Sequence, residues 1–216
     1  MKYYPVYLDI SGRPCVVVGG GEVAYRKARR LLDCGARVNV VSMKACPNLQ
    51  DLETGGALTL IAQSYNQEHI ASAFLVIGAT DDRQVNERIF LDARARNILV
   101  NIVDEPERCD FILPAIVERG DLSIAISTAG KSPALAKRLR QELENLFGTE
   151  YETCLQIMGK IREHVLARGG TSDENRKVFE KLIDSDLLEH IREKDWEAVR
   201  RLIRETVPES FEVTLP

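Results

Sequence analysis

Through residue 103, short apolar runs alternate with longer stretches in which apolar residues recur every three or four positions. Residues 15–18 (CVVV), 36–42 (ARVNVVS), 57–63 (ALTLIAQ), 73–79 (AFLVIGA) and 98–104 (ILVNIVD) are continuous and β-rich, and read as strands. Residues 82–97 place Val85, Ile89 and Ala93 at helical spacing. Strands that alternate with helices predict an α/β fold with a Rossmann-type, doubly wound parallel sheet. Sheets of that kind bind ligands beyond the carboxyl ends of their strands. The residues to watch are therefore Gly19 to Val23, Gly78 to Asp81, and Asn101 to Asp104.

From residue 111 the period changes. DFILPAIVERGDLSIAIST reads as two strands joined by a turn at Arg119 to Asp121, the second alternating through Leu122, Ile124 and Ile126. A helix follows, with Ser132 as N-cap, Pro133 in the first turn and Gly148 as the stop. Residues 150–207 read as helices in three stretches, 151–170 (YETCLQIMGKIREHVLARGG), 173–195 (DENRKVFEKLIDSDLLEHIREKD) and 196–207 (WEAVRRLIRETV). The expected organisation is a nucleotide-binding domain over 1–112, a small α+β segment over 113–149 and a helical domain over 150–216.

The first strand runs into three glycines and then a helix opened by Glu22. Gly19, Gly21 and Ala24 form G-x-G-x-x-A, a dinucleotide fingerprint. The first glycine permits the turn, the second lets the backbone approach a pyrophosphate, and the small third residue lets helix and strand pack closely. The helix start offers free N–H groups and a positive dipole end to phosphate. Gly35 can end the helix, and the next strand completes a βαβ unit. The acidic residue that usually holds an adenosine ribose after the second strand is missing, because the chain reads NVVSMK. Ser42, Met43 and Lys44 take that place, and the choice between NAD and NADP stays open. Gly19, Gly20, Gly21, Glu22, Val23, Ala24, Ala79, Thr80, Asp81, Asn101 and Val103 complete the candidate cofactor-binding set. Thr80 or Asp81 is also expected to cap the helix that follows.

A chain of 216 residues, 44% hydrophobic and 29% charged, has the composition of an ordinary globular protein. A net charge of −4 gives no general attraction to nucleic acid or anionic membranes, so an anionic ligand must be gripped by local groups. No apolar run approaches the ~18 residues of a membrane span, and the first residues lack the apolar core of a signal peptide. A cytoplasmic protein is expected. Cys15, Cys34, Cys46, Cys109 and Cys154 have no C-x-x-C spacing and read as free thiols, with Cys109 nearest the candidate site. His69, His164 and His190 are isolated, so no metal site is expected.

Gly130-Lys131-Ser132 invites comparison with a phosphate-binding loop, but the residue five before Gly130 is Ala125, not glycine. The surrounding STAGKSP is better read as a nest for anions. It offers Ser127, Thr128, Lys131 and Ser132, with backbone N–H groups around Ala129 and Gly130, just before a helix.

Taken together, the tracts VVVGGGEVAYRKARRLLDCGARVNVVS, IGATDDRQVN, VNIVDEPERCDFILPAIVERGDLSIAISTAGKSPALAKRLRQELE and YYPVYLDISGRPC resemble the precorrin-2 dehydrogenase family of sirohaem synthesis. Its members are free-standing or form the N-terminal part of larger sirohaem synthases. The resemblance is close over roughly residues 1–150 and looser over the helical tail. It implies NAD-dependent oxidation of precorrin-2 to sirohydrochlorin, a homodimer whose middle segment exchanges between subunits, and in some members insertion of Fe2+ (ferrochelatase activity). Asp104 matches the family's catalytic aspartate, and Ser127, Thr128, Gly130, Lys131 and Ser132 are expected to meet substrate carboxylates. Two features depart from the family. The methyltransferase of the fused enzymes is not expected in a chain of this length, and RKVFEKLI stands where many relatives carry a tryptophan after the phenylalanine.

Two rival readings make different demands. A non-catalytic NAD-sensing module would bind nucleotide but leaves STAGKSPALA unexplained. Another small-molecule dehydrogenase would call for an acid or base such as a Tyr-x-x-x-Lys pair, and no tyrosine here has a lysine four residues on.

Overall fold

Five strands, β1 (Pro14–Val18), β2 (Arg37–Val41), β3 (Thr59–Ile61), β4 (Leu75–Gly78) and β5 (Leu99–Ile102), form one parallel sheet in the order β3-β2-β1-β4-β5. This is the expected doubly wound α/β architecture. The computed structural model describes residues 2–207 and divides into two compact units at residues 113 and 114.

In the first unit, strand alternation sends side chains to two cores. Cys15, Val17, Val38, Val40, Leu75 and Ile77 pack with Ala24, Ala28 and Leu31 of α1 (Glu22–Asp33) and Leu49 of α2 (Pro47–Thr54). Val16, Val18, Val76, Val100 and Ile102 pack on the other face with Ile89 and Ala93 of α3 (Arg83–Ala95). Fully burying each such valine or isoleucine stabilises the sheet by about 1.5–3 kcal/mol. Gly35 ends α1 as its sequence suggests: it takes φ +75, and the Gly35 and Ala36 N–H groups return to the carbonyls of Leu32 and Leu31.

The reading missed α2. Only Leu49 of its eight residues is buried, so it carries little periodicity, although Pro47 in its first turn and Gly55 at its end are start and stop signals. The cap of α3 also needs correcting. Asp82, rather than Thr80 or Asp81, is the N-cap, its Oδ1 accepting from Gln84 and Val85 N–H at 2.9 and 3.2 Å.

The second unit holds an antiparallel hairpin, β6 (Ala115–Arg119) and β7 (Leu122–Ile126), turned at Gly120 with φ +56. After it come α4 (Pro133–Leu146), α5 (Glu150–Ala167), α6 (Ser172–Ile183), α7 (Leu187–Glu193) and α8 (Trp196–Thr206). The last four share a core of Cys154, Ile157, Ile161, Val165, Leu182, Leu187, Ile191, Val199 and Ile203. The stretch 173–195, read as one helix, is two. The Ser185 hydroxyl donates to the Leu182 carbonyl at 2.6 Å and accepts from Leu187 N–H at 3.3 Å, so a side chain replaces the helical ladder there. Among the described residues no helix is long and apolar enough to cross a membrane.

Candidate functional site

Main-chain hydrogen bonds lace the carboxyl ends of β1, β2, β4 and β5 together beyond the last paired residues. Gly19 N–H donates to the Val41 carbonyl at 3.0 Å, Ala79 N–H to Val18 at 2.7 Å, Val103 N–H to Gly78 at 2.9 Å and Cys46 N–H to Gly20 at 2.8 Å. Gly19 to Gly21, Ser42 to Lys44, Ala79 with Thr80, and Val103 with Asp104 thus share one edge of the first unit. The chain reverses its course across the sheet between β1 and β4, the switch point where open α/β sheets bind ligands.

The three glycines do different work. A Cβ on Gly19 would lie 2.2 Å from the Ala79 carbonyl oxygen, and its φ of +133 suits only glycine; one on Gly20 would lie 1.8 Å from the Lys44 carbonyl oxygen. A Cβ on Gly21 would meet nothing within 4 Å. Gly21 is also the N-cap of α1 and supplies no side-chain acceptor to the first-turn N–H groups, whereas Asp82 does so for α3. An uncapped helix start beside open space fits a pyrophosphate. Ala24 is fully buried against the sheet, as the third small position requires.

Other candidates have their side chains engaged. The Ser42 hydroxyl donates to the Lys44 carbonyl at 2.7 Å and folds the 42–44 loop over Gly20, while Met43 and Lys44 stay exposed. Glu22 accepts from Asn48 Nδ2 at 3.3 Å, and Val23 is half-buried. Thr80 Oγ1 accepts from Asp82 N–H at 3.2 Å, its carbonyl accepts from the buried Asn86 amide at 3.0 Å, and Asp81 is exposed. Asn101 is buried within β5 and donates to the Phe111 carbonyl at 2.9 Å, so its side chain orders the following loop.

Asp104 is exposed just past β5 and takes φ +63, the left-handed region that few residues with a side chain enter. Lys27 of α1 lies within its field. Burial, and then Arg26, lower the Lys27 pKa, while Asp104 and Cys109 oppose that shift. The sequence reading missed Lys27, although a signal was present: Ala24, Lys27, Ala28 and Leu31 follow helical i, i+3, i+4, i+7 spacing, which puts a lysine on the apolar stripe. A separate groove of about 500 Å³, lined by Pro14, Arg37, Asn39 and Thr59 among others, opens toward the amino ends of β1 to β3.

In the second unit, Ala129 and Gly130 take φ +51 and +80 in a turn closed by Lys131 N–H to the Thr128 carbonyl at 3.0 Å. Several donors expected for an anion serve the turn itself. Ala129 N–H donates to Ser127 Oγ at 3.0 Å, Ser132 N–H to Thr128 Oγ1 at 3.2 Å, and Leu135 N–H to Ser132 Oγ at 3.2 Å. The Thr128 hydroxyl donates to the Ser132 carbonyl at 3.1 Å, while the Lys131 side chain is exposed.

A family model described as NAD(P)-binding matches residues 6–115, more than half of the 216 residues. The chain belongs to this NAD(P)-binding family. A second model, described as sirohaem biosynthesis protein central, matches residues 119–146 of this family member. Siroheme synthase 1 of Aeromonas salmonicida is 40% identical over 188 residues, 87% of this chain and 40% of that protein. The siroheme synthase of Actinobacillus succinogenes is 39% identical over 201 residues, 93% of this chain and 42% of that protein. The chain thus spans about two-fifths of the length of these curated relatives. A solved structure titled SirC, precorrin-2 dehydrogenase, superposes with a TM-score of 0.77 at 26% identity, covering 92% of this chain and all of that one.

Proposed function

We propose that this protein is an NAD-dependent dehydrogenase that oxidises precorrin-2 to sirohydrochlorin in sirohaem synthesis. One observation carries the reading: an open, uncapped glycine turn after β1 shares an edge with a carboxylate just past β5. Similarity to the structure titled precorrin-2 dehydrogenase, over the whole length of that chain, supports the substrate.

In this mechanism the main-chain groups around Gly21 and the start of α1 hold the pyrophosphate, and the 42–44 loop meets the adenosine ribose. NAD+ supplies the hydride acceptor when bound. Dehydrogenation removes a hydride and a proton, and the Asp104 carboxylate takes the proton. Lys27, whose pKa Asp104 raises against the lowering by burial and Arg26, offsets part of the Asp104 charge. Val103 and Ala79 order the strand ends by their main-chain bonds, and that edge would receive the nicotinamide. The STAGKSP turn, through Lys131, Ser127, Ser132 and Gly130, meets substrate carboxylates.

We further propose a homodimer joined through the hairpin and α4. Among the described residues of β6, β7 and α4, only Val117 is buried, and Leu135 and Leu146 are 48% and 63% exposed. A cytoplasmic location agrees with five cysteines that are all free.

The test is an anaerobic assay of the purified protein with precorrin-2 and NAD or NADP, followed by sirohydrochlorin with Fe2+ as the second substrate. Sirohydrochlorin should form with NAD in preference to NADP. Nucleotide binding without turnover would replace the dehydrogenase with an NAD-sensing module. Iron uptake in the second step would add ferrochelatase activity.

A further inference from the structure

Asp104 holds its left-handed conformation, φ +63, at an exposed strand end. β5 is the last strand of the sheet, so its outer N–H and carbonyl groups meet no further strand. The residues that follow the short helical turn Pro106–Arg108 cover that edge. Asp110 N–H donates to the Val100 carbonyl at 2.8 Å, and Val100 N–H donates to Asp110 Oδ2 at 3.1 Å. Arg94 donates to the other carboxylate oxygen of Asp110 at 2.7 Å. The chain is thereby anchored one residue after Cys109.

Cys109 is left facing the Asp104 turn. Its Sγ lies 3.2 Å from the Ile102 carbonyl oxygen and 3.2 Å from that of Glu105, the two ends of the turn. Main-chain bonds also tie the turn: Glu105 N–H donates to the Ile102 carbonyl at 3.2 Å, Val103 N–H to Gly78 at 2.9 Å, and Arg108 N–H to the Glu105 carbonyl at 2.9 Å. A left-handed aspartate costs conformational energy and persists only where its surroundings hold it.

We propose that Cys109 is a positioning residue: its thiol, shared between the Ile102 and Glu105 carbonyls and anchored by Asp110, holds the left-handed turn that presents Asp104. The role in turnover rests on the dehydrogenase reading above. The role in the turn does not. Burial, the largest influence, raises the Cys109 pKa, so the thiol keeps the proton that both carbonyls accept. Serine preserves a donor at this position, and alanine removes it.

The test uses the full chain with Cys109→Ala, Cys109→Ser and Asp104→Ala, and the double variant Asp104→Ala/Cys109→Ala. Thermal unfolding and NAD affinity by calorimetry first establish that each variant is folded and binds cofactor. Amide hydrogen exchange at Glu105 reads the turn without any turnover: alanine at 109 should speed exchange by about tenfold and serine by less than about threefold. In the dehydrogenase assay, Cys109→Ala should lower kcat by about tenfold with NAD affinity within about twofold, and serine should restore at least about half of the rate. In the Asp104→Ala background, adding Cys109→Ala should change kcat by less than about twofold, because the carboxylate it positions is gone. Unchanged exchange at Glu105 in Cys109→Ala overturns the proposal whether or not the protein oxidises precorrin-2. A kcat loss of equal size with and without the Asp104 carboxylate also overturns it. Faster exchange in a protein without dehydrogenase activity upholds the turn and refutes the functional reading.

Discussion

Asp104 has two separable jobs, a left-handed turn and a carboxylate, and two substitutions divide them. Asparagine tolerates the left-handed region nearly as well as aspartate but accepts no proton near neutral pH. If Asp104 only shapes the turn, Asp104→Asn should therefore keep full activity. If it takes protons, Asp104→Asn and Asp104→Ala should both lose roughly 10²–10⁴-fold in whichever reaction depends on the base. Metal insertion must displace two pyrrole protons, whereas hydride transfer depends mostly on positioning, so Asp104→Ala should depress any ferrochelatase rate more than the dehydrogenase rate. Initial rates at saturating NAD, and with Fe2+ or Co2+, compare the two. Equal, mild losses would reduce Asp104 to a turn residue. Asp104 was legible because it follows an apolar run and precedes a proline turn. The left-handed backbone was not, since residues five and six positions later hold it.

At the scale of elements, the β1–α1 turn separates folding from binding within three residues. Gly21 has extended backbone at φ −88 and ψ −176 and open space where a side chain would go. Gly21→Asp should therefore fold normally, and its carboxylate can cap α1, worth a few tenths of a kcal/mol over glycine. That carboxylate also stands where a pyrophosphate must approach, so calorimetry should show NAD binding lost while the melting temperature is kept or raised. Gly19→Ala should do the reverse. Its Cβ would collide with the Ala79 carbonyl and its φ is unsuited to alanine, so the variant should lose about 2–4 kcal/mol of stability in denaturant titration. The fingerprint exposes both glycines to a reader of the sequence, but assigns no role to Gly20, the tightest of the three. That tightness comes from the Lys44 carbonyl, contributed by a loop on the next strand. The cap of α3 slipped to Asp82 for a similar reason: adjacent threonine and aspartates are all competent caps, and backbone geometry chooses among them.

For the whole molecule, the unequal burial of the second unit sets the expectation. Its four C-terminal helices enclose a core that includes Ile161, Leu182 and Ile203, while α4 has no buried residue among its fourteen. An amphipathic helix whose leucines remain half-buried or exposed gains by pairing with a second copy. Sedimentation at micromolar concentration should give a dimer, and Leu135→Glu combined with Leu146→Glu should give a monomer that retains the helical core by circular dichroism. A wild-type monomer would remove the dimer from the proposal.

Strand and helix identity, the glycine turn and the carboxyl-end location of the candidate site follow from local periodicity, because alternation and three-to-four spacing reflect which face of each element leaves water. The break at 184–186 and helix α2 were weaker signals, since a serine side chain and a single buried leucine leave little period to read. Only the tertiary structure put the Ala79 carbonyl against Gly19, brought Lys27 within the electrostatic influence of Asp104, and placed the Cys109 thiol against the Asp104 turn. Each of those relations joins groups that local periodicity does not pair, and it is packing of the sheet and closure of its outer edge that bring them within range.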